Sequence, residues 1–381
     1  MKDISIDTLL IHGGLTTDSK TGAVNTPIYQ TSTYKQIALG VNLGYEYSRT
    51  KNPTRDGIES LIAELEYAKF GFAFASGLAA IATVLSIFKS NDEILILNNI
   101  YGGTFRLLDK VFLNFNIKYK IIDDIKDIEN AISINTKAIL YETPANPLLN
   151  IISIEQISKI AHSKGILHIV DNTFMSPYLQ NPLKFGADIV IHSATKYLGG
   201  HSDLIAGCVV CNDELLAEKI GFLQNAIGAI LSPNDSFLLI RGIKTLGLRM
   251  QKHSQNALEI AQFLNTCKYV KKVYYPSLKN HTNYDIHSHQ ARSGGGVISF
   301  ELENNIDINK FCQNLELISL AESLGGVESL ICHPASMTHA SIPIEIREKM
   351  GIKKELLRLS IGIENANDLI KDIENSFKKS Q

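Results

Sequence analysis

The fold is decided by residues 166–207, which read ILHIVDNTFMSPYLQNPLKFGADIVIHSATKYLGGHSDLIAG. Two short runs within it, 168–170 and 189–191, are rich in β-branched residues and nearly uncharged. Such runs are typical of parallel strands that are buried on both faces. Asp171 closes the first run and Lys196 follows the second. We therefore expect both side chains at the carboxyl edge of an open α/β sheet, where ligands bind.

A carboxylate and an amine at one sheet edge suit pyridoxal phosphate as a cofactor. A lysine amine bonds covalently to the aldehyde of this cofactor, and an aspartate keeps its pyridinium nitrogen protonated. The sequence therefore predicts Lys196 as the covalent attachment point and Asp171 as the partner of the ring nitrogen. The alternatives are a solvent-exposed lysine and a strand-end aspartate in an Asx turn.

Residues 71–88 contain a second feature of interest, a stretch of eighteen residues without a charge. Its length meets the lower limit for a membrane span, about 18–20 residues. Ser76 and Gly77 interrupt it, and we interpret it instead as a strand, a turn and a helix. Backbone N–H groups at such a helix start bind phosphate, and glycine permits close approach. An ordinary serine N-cap is the alternative interpretation of this turn.

Several further motifs resemble the pyridoxal-phosphate enzymes of the cystathionine γ-lyase and γ-synthase family. In chain order they are IHGG at 11–14, PIYQTSTY at 27–34, YSR at 47–49, DNT at 171–173, SATKYLGGHSD at 193–203, AESLGGVES at 321–329 and LRLSIGIE at 357–364. These motifs occur in one order along nearly the whole chain, as they do in the family, which argues against a chance resemblance. The resemblance implies the α/β architecture called fold type I, with a mostly parallel seven-stranded sheet, a smaller α+β C-terminal domain and an extended N-terminal arm.

The resemblance also assigns roles to individual residues. The cofactor-binding residues would be Ser76, Gly77, Leu78, Tyr101, Asp171, Thr173, Ser193, Thr195 and Lys196, with Tyr47 and Arg49 donated by a neighbouring subunit. The substrate-binding residues would be Arg106, Asn146, Glu322, Ser323 and Arg358. Lys196 and Tyr101 would be catalytic, with the Tyr101 ring stacked on the cofactor. Arg358 would hold the α-carboxylate of the substrate through its planar fork of donors.

The implied activity is cleavage of the Cγ–S bond of cystathionine to cysteine, 2-oxobutyrate and ammonia. Residues 45–49 and 337–343 resemble the lyase members of the family most, which favours this γ-lyase reaction. Glu322 would contact the distal amino group of the substrate. The γ-synthase, which joins an acylated homoserine to cysteine, and then the β-lyase are the alternatives. Lys51 occupies a position where many members of the family have glycine, so the resemblance does not define the conformation of the arm at this point.

Two other classes of protein fit the sequence less well. A nicotinamide dehydrogenase would match the alternation of strands and helices, but the chain contains no GxGxxG motif. A non-catalytic binding protein would leave the joint presence of Lys196, Asp171, Arg358 and Tyr101 unexplained. Among 381 residues, 37 Lys and Arg nearly balance 39 Asp and Glu, so nucleic acid is not an expected partner.

The remaining predictions concern organisation and setting. We divide the chain into an N-terminal arm at 1–50, a large cofactor-binding domain at 51–240 and a C-terminal domain at 241–381. The resemblance implies a homotetramer of dimers that share their sites.

Asp3 and Asp7 argue against a signal peptide, and five scattered cysteines argue for reduced thiols in the cytoplasm. Cys208 and Cys211 are predicted to be core residues. No metal is expected, because neither His287 with His289 nor His333 with His339 has a complete ligand set.

Overall fold

A computed structural model describes residues 4–14, 18, 20–97, 100–338, 340 and 344–381, apart from the side chains of 346, 348 and 349. The strands of the large sheet are β1 (Phe70–Phe74), β2 (Glu93–Leu97), β3 (Lys118–Ile122), β4 (Thr136–Glu142), β5 (Leu167–Asp171), β6 (Ile189–Ser193) and β7 (Gly207–Cys211). Those of the small sheet are β8 (Val270–Tyr274), β9 (Val297–Leu302), β10 (Ser319–Leu320), β11 (Leu330–Cys332) and β12 (Leu356–Ser360).

The α-helices lie between and after these strands. They are α1 (Ile6–His12), α2 (Pro53–Leu65), α3 (Gly77–Leu85), α4 (Gly102–Lys110), α5 (Ile128–Ala131), α6 (Ile154–Ser163), α7 (Ser176–Leu179), α8 (Glu214–Ile227), α9 (Pro233–Ile243), α10 (Leu246–Thr266), α11 (Tyr284–Gln290), α12 (Ile308–Gln313), α13 (Ile344–Lys349) and α14 (Ala366–Lys379). Short 3₁₀ turns cover Phe112–Phe115, Ile125–Asp127 and Pro182–Phe185.

The large sheet has seven strands in the order β1-β7-β6-β5-β4-β2-β3, and β7 alone runs antiparallel to its neighbours. Its central strands are buried on both faces: Val170 and Val190 pack into one core, whereas Ile169 and Ile189 pack into the other. This double burial explains the near-continuous apolar runs of the sequence. The predicted mostly parallel seven-stranded sheet is confirmed.

A second sheet of five strands, in the order β10-β11-β12-β9-β8, belongs to the C-terminal part. Helix α10 connects the two parts of the molecule. Its first turns place Leu246 and Met250 in the core of the large sheet, and its later turns place Ile260 and Leu264 in the core of the small sheet. The predicted domain boundary at residue 240 falls inside α9. The two cores share helix α10 and are not separated by a linker, so this boundary stays a prediction.

The N-terminal arm wraps the surface with little regular structure of its own. Residues 20–52 contain turns and isolated bridges such as Thr33 with Tyr47, and Leu39 is fully exposed. Helix α1 lies within the region that the sequence analysis predicts as an extended arm. Ser5 caps this helix by accepting the Thr8 N–H, and Leu9 and Leu10 pack into the core, so tertiary burial stabilises a segment too short to be helical alone.

Residues 71–88 form most of β1, a turn and α3. Within the described ranges, no helix is both long enough and apolar enough to cross a membrane. Cys208 and Cys211 are buried, and burial raises the pKa of both thiols. No group of three or more His, Cys, Asp or Glu side chains in the described part of the chain is arranged to hold a metal ion, and His339 lies outside that part.

Candidate active site

A cavity of about 360 Å³ lies at the carboxyl ends of β4, β5 and β6. The predicted site residues that line it are Ser76, Gly77, Leu78, Tyr101, Asn146, Asp171, Thr173, Ser193, Thr195, Lys196, Glu322, Ser323 and Arg358. They come from both sheets, because Asp171 ends β5 of the large sheet and Arg358 lies in β12 of the small one. The fold therefore gathers at one sheet edge residues that are widely separated in sequence.

Lys196 supplies the amine of the cavity. It lies in the turn after β6, and its Nζ donates a hydrogen bond to Ser323 Oγ at 2.8 Å. Burial, together with the positive charge of Arg358, lowers the pKa of the amine to about 8, and Glu322 opposes this shift. A lysine with a lowered pKa is partly neutral near physiological pH, so it can act as a nucleophile or a base.

Ser323 has an unusual backbone conformation next to this amine. Its φ of 94° lies where residues other than glycine are rarely found. Such strain concentrates at functional sites, where the surrounding structure holds it in place. The carbonyl oxygen of Ser323 accepts a hydrogen bond from Arg358 Nη2 at 2.9 Å, and its hydroxyl accepts from Lys196. Ser323 thus contacts two of the functional side chains at once.

Asp171 presents a carboxylate to the cavity from the end of β5. Its Oδ1 accepts two hydrogen bonds from Thr173, one from the backbone N–H at 3.0 Å and one from the hydroxyl at 2.5 Å. Burial raises the pKa of Asp171, and the Thr173 donors oppose that shift. Among the described residues, no lysine or arginine lies within ion-pair distance of Asp171. A cationic ring nitrogen would compensate this carboxylate.

The start of α3 forms an anion cradle on the other side of the cavity. Ser76 caps the helix by accepting the Ala79 N–H at 3.0 Å, and the N–H groups of Gly77 and Leu78 have no hydrogen-bond partner among the described residues. A Cβ at Gly77 would lie 2.8 Å from the Cβ of Ser193, and one at Gly207 would lie 2.2 Å from the carbonyl oxygen of Ser76. Only glycine permits these close approaches, and the resulting cradle suits a phosphate group.

Arg358 is a buried cation with spare hydrogen-bonding capacity. Its Nη1 donates to Asn146 Oδ1 at 2.9 Å, whereas its Nε has no partner among the described residues. The hydrogen bonds from both Nη atoms hold the guanidinium plane fixed at the cavity wall. A buried donor without a partner is costly, so this geometry favours an incoming carboxylate.

Three of the predicted residues do not line this cavity. Arg106 is an exposed residue of α4. Arg49 Nη1 instead donates to the Asn225 carbonyl oxygen at 2.8 Å, and its guanidinium lies 5.5 Å from the ring centroid of Tyr47. Neither Tyr47 nor Arg49 reaches the cavity of its own chain.

Sequence reasoning missed Glu142, a buried carboxyl group that also lines the cavity. A signal was present, because Glu142 closes the apolar run of β4 just as Asp171 closes that of β5. Thr338, Phe174 and Ile205 were missed as well. These three follow no local pattern, because they reach the cavity from loops.

The donor set fits pyridoxal phosphate. Lys196 offers the amine for its aldehyde, Asp171 the carboxylate for its ring nitrogen, and Ser76 with Gly77 the cradle for its phosphate. The fold and the site together define a pyridoxal-phosphate-dependent enzyme that acts on an amino acid.

Comparison with known proteins identifies the family. The family described as Cys/Met metabolism PLP-dependent enzyme matches residues 7–378. The chain is 56% identical over 377 residues to cystathionine beta-lyase of Lactococcus lactis subsp. cremoris (strain MG1363), covering 98% of this chain and 99% of that one. It is 52% identical over 373 residues to cystathionine gamma-lyase of Bacillus subtilis (strain 168), covering 97% and 98%.

A solved structure gives the same result. The crystal structure of cystathionine gamma-lyase from Lactobacillus plantarum complexed with L-serine superposes with a TM-score of 0.97 at 51% identity, covering 99% of this chain and 100% of that one. The chain belongs to the Cys/Met metabolism PLP-dependent enzyme family, so the resemblance, the cofactor and the enzyme class predicted from the sequence are confirmed.

The lowered pKa of Lys196 leads to a testable pH dependence. Only the neutral amine attacks an aldehyde, so we expect the rate of cofactor capture by the apoprotein to rise with pH through about 8. Arg358→Ala removes a cation that favours the neutral amine, so the midpoint should move to higher pH. Glu322→Gln removes an anion that favours the protonated amine, so the midpoint should move to lower pH. Stopped-flow absorbance from pH 6 to pH 10 measures these midpoints, and shifts in the reverse directions would contradict the assignment.

Proposed function

We propose that the protein is a cystathionine lyase that breaks the Cγ–S bond. The observation that supports it most is that the fold brings Glu322, which would meet the distal amino group, into one cavity with Lys196 and Arg358. Arg358 would hold the substrate α-carboxylate, Lys196 would face the α-carbon, and Glu322 at the exposed cavity edge would meet the distal ammonium group. The Bacillus subtilis and Lactobacillus plantarum relatives bear the γ-lyase name.

Pyridoxal phosphate, when bound, withdraws electrons from the substrate α-carbon. The neutral Lys196 Nζ accepts the α-proton and then moves a second proton away from the β-carbon. The Tyr101 hydroxyl donates a proton to the departing sulfur, which leaves as the thiol of cysteine. Uptake of one water by the remaining four-carbon fragment gives 2-oxobutyrate and ammonia. Arg358 holds the α-carboxylate throughout, so the reacting carbons stay beside Lys196.

A second candidate is the β-lyase reaction, which yields homocysteine, pyruvate and ammonia from the same substrate. It is favoured by the name of the Lactococcus lactis relative, at 56% identity. Both lyases require the same amine, carboxylate and guanidinium, so Lys196, Asp171 and Arg358 do not distinguish them. The two reactions differ in which carbon–sulfur bond breaks.

Product analysis distinguishes the candidates. The purified enzyme is given cystathionine alone, and separately cysteine with several O-acyl-homoserines, and products are identified by mass spectrometry. Cysteine with 2-oxobutyrate supports the proposal, whereas homocysteine with pyruvate overturns it in favour of the β-lyase. Formation of new cystathionine in the second reaction, without cleavage in the first, would identify a γ-synthase.

We further propose that active sites are completed by a neighbouring copy of the chain, within a homotetramer of dimers. Tyr47 and Arg49 lie outside their own cavity on an exposed arm, and a guanidinium suits a phosphate of another subunit.

The predicted cytoplasmic setting is supported by the free state of all five cysteines.

Glu322 gives a prediction specific to the two-headed substrate. We expect Glu322→Gln to lower kcat/KM for cystathionine by about 10- to 100-fold, the size of a lost charged hydrogen bond. Cofactor affinity measured above pH 8, where the Lys196 amine is mostly neutral, should stay unchanged. Steady-state kinetics with cystathionine and with O-acetylhomoserine, which lacks the distal amino group, test this. Glu328→Gln is the matched control, because Glu328 lies nearby but outside the cavity. Equal losses for both substrates would refute the specificity role.

A further inference from the structure

Glu142 is a buried carboxyl group at the centre of the site. It ends β4 directly beside Asp171, its partner in the parallel register with β5. It is 7% exposed and lines the cavity. Its Oε1 accepts the backbone N–H of Tyr101 at 2.5 Å. The carboxyl group therefore joins the edge of the sheet to the start of α4.

Tyr101 depends on this contact for its backbone position. It is the N-cap residue of α4, and its own side chain makes no capping hydrogen bond. The ring lies against the first turn, since a Cβ at Gly103 would come within 2.4 Å of the Tyr101 Cε1 atom. The side chain is 41% exposed at the cavity, so little packing fixes it from outside. The hydrogen bond to Glu142 ties the Tyr101 backbone to the rigid sheet.

We propose that Glu142 is a positioning residue for Tyr101: its carboxyl oxygen fixes the Tyr101 backbone and thereby holds the aromatic ring over the cofactor. This inference rests on the proposed function and on the predicted stacking of the Tyr101 ring on the cofactor. A ring that is held in place before binding pays less conformational entropy when it stacks on a ligand. Glu142 therefore contributes to cofactor affinity without contacting the reacting atoms.

The neighbouring carboxylate of Asp171 determines whether Glu142 is protonated when it accepts the Tyr101 N–H. Burial and the negative charge of Asp171 raise the pKa of Glu142 to about 8, while the backbone N–H groups of Tyr101 and Asn146 oppose the shift. Two adjacent carboxyl groups do not readily both ionise. With the charge on Asp171, Glu142 acts near neutral pH as an uncharged acceptor. Glutamine has the same shape and keeps this acceptor, so Glu142→Gln should rescue what Glu142→Ala loses.

A double-mutant cycle tests the coupling. The dissociation constant of pyridoxal phosphate is measured by titrating the apoproteins of Glu142→Ala, Tyr101→Ala and the double variant. We expect Glu142→Ala to weaken binding by about tenfold, as for a lost hydrogen bond. The double variant should bind no more weakly than Tyr101→Ala alone. The visible circular dichroism of bound cofactor should fall in Glu142→Ala and stay normal in Glu142→Gln.

Glu59→Ala is the matched control. Glu59 also accepts a backbone N–H, that of Ala73 at 3.0 Å, but it does not line the cavity. We expect this variant to lose thermal stability while its cofactor affinity stays unchanged. Additive losses in the cycle, or a Glu142→Gln variant as impaired as Glu142→Ala, would overturn the proposal. The titration uses no substrate, so its outcome is independent of which carbon–sulfur bond the enzyme breaks.

Discussion

Replacing Lys196 with alanine should lower turnover by at least about 10³-fold and prevent covalent attachment of the cofactor. Among the described residues that line the cavity, Lys196 alone carries an amine. Its Nζ is held at 2.8 Å from Ser323 Oγ, and burial lowers its pKa to about 8. The variant loses both the nucleophile for the aldehyde and the base for the α-proton. No other lysine lines the cavity among the described residues, so neither role can be taken over.

Borohydride reduction followed by peptide mapping measures the attachment directly. In the unmodified protein the label should be found on Lys196, and in Lys196→Ala no lysine should carry it. Lys159→Ala is the control, because Lys159 forms an exposed ion pair with Glu155 on α6. Such pairs contribute little to stability, and activity should remain unchanged. A label on a different lysine of the unmodified protein would contradict the assignment.

The central strands could be predicted from the sequence because their signal is local. Ile189–Ser193 and Leu167–Asp171 are apolar runs whose residues alternate between two cores, and His168 and His192 are the polar residues inside them. The residue after such a run lies at the carboxyl edge by geometry alone. For this reason the sequence alone predicts that Asp171 and Lys196 lie at one edge of the sheet.

Other parts of the site depend on contacts that no local pattern reveals. Arg358 and Asn146 are 212 residues apart, and their hydrogen bond exists only after the two sheets meet. The positive φ of Ser323 has no sequence signal either, because residues other than glycine rarely adopt it. The resemblance predicts Arg106 as a substrate-binding residue, but it is exposed on α4 and does not line the cavity.

Asp171→Asn is expected to retain the cofactor but to lower kcat by about 10²- to 10³-fold, the effect of removing one preorganised electrostatic partner. Asparagine has nearly the shape of aspartate, and its Oδ1 can still accept both hydrogen bonds from Thr173. Lys196 and the cradle at Ser76 are unchanged, so covalent attachment should persist. What is lost is the negative charge that keeps the ring nitrogen protonated, and with it the capacity to withdraw electrons from the α-carbon.

The ¹⁵N chemical shift of cofactor labelled at the ring nitrogen measures this protonation without reference to turnover. It should report a protonated nitrogen in the unmodified enzyme and an unprotonated one in Asp171→Asn. Asp188→Asn is the matched control, since Asp188 accepts the His168 backbone N–H at 2.8 Å but lies outside the cavity. A protonated nitrogen in Asp171→Asn would show that another anionic group keeps the ring nitrogen protonated. Because Glu142 is the neighbouring carboxyl in the register, adding Glu142→Gln to that variant would then identify whether the charge had moved there.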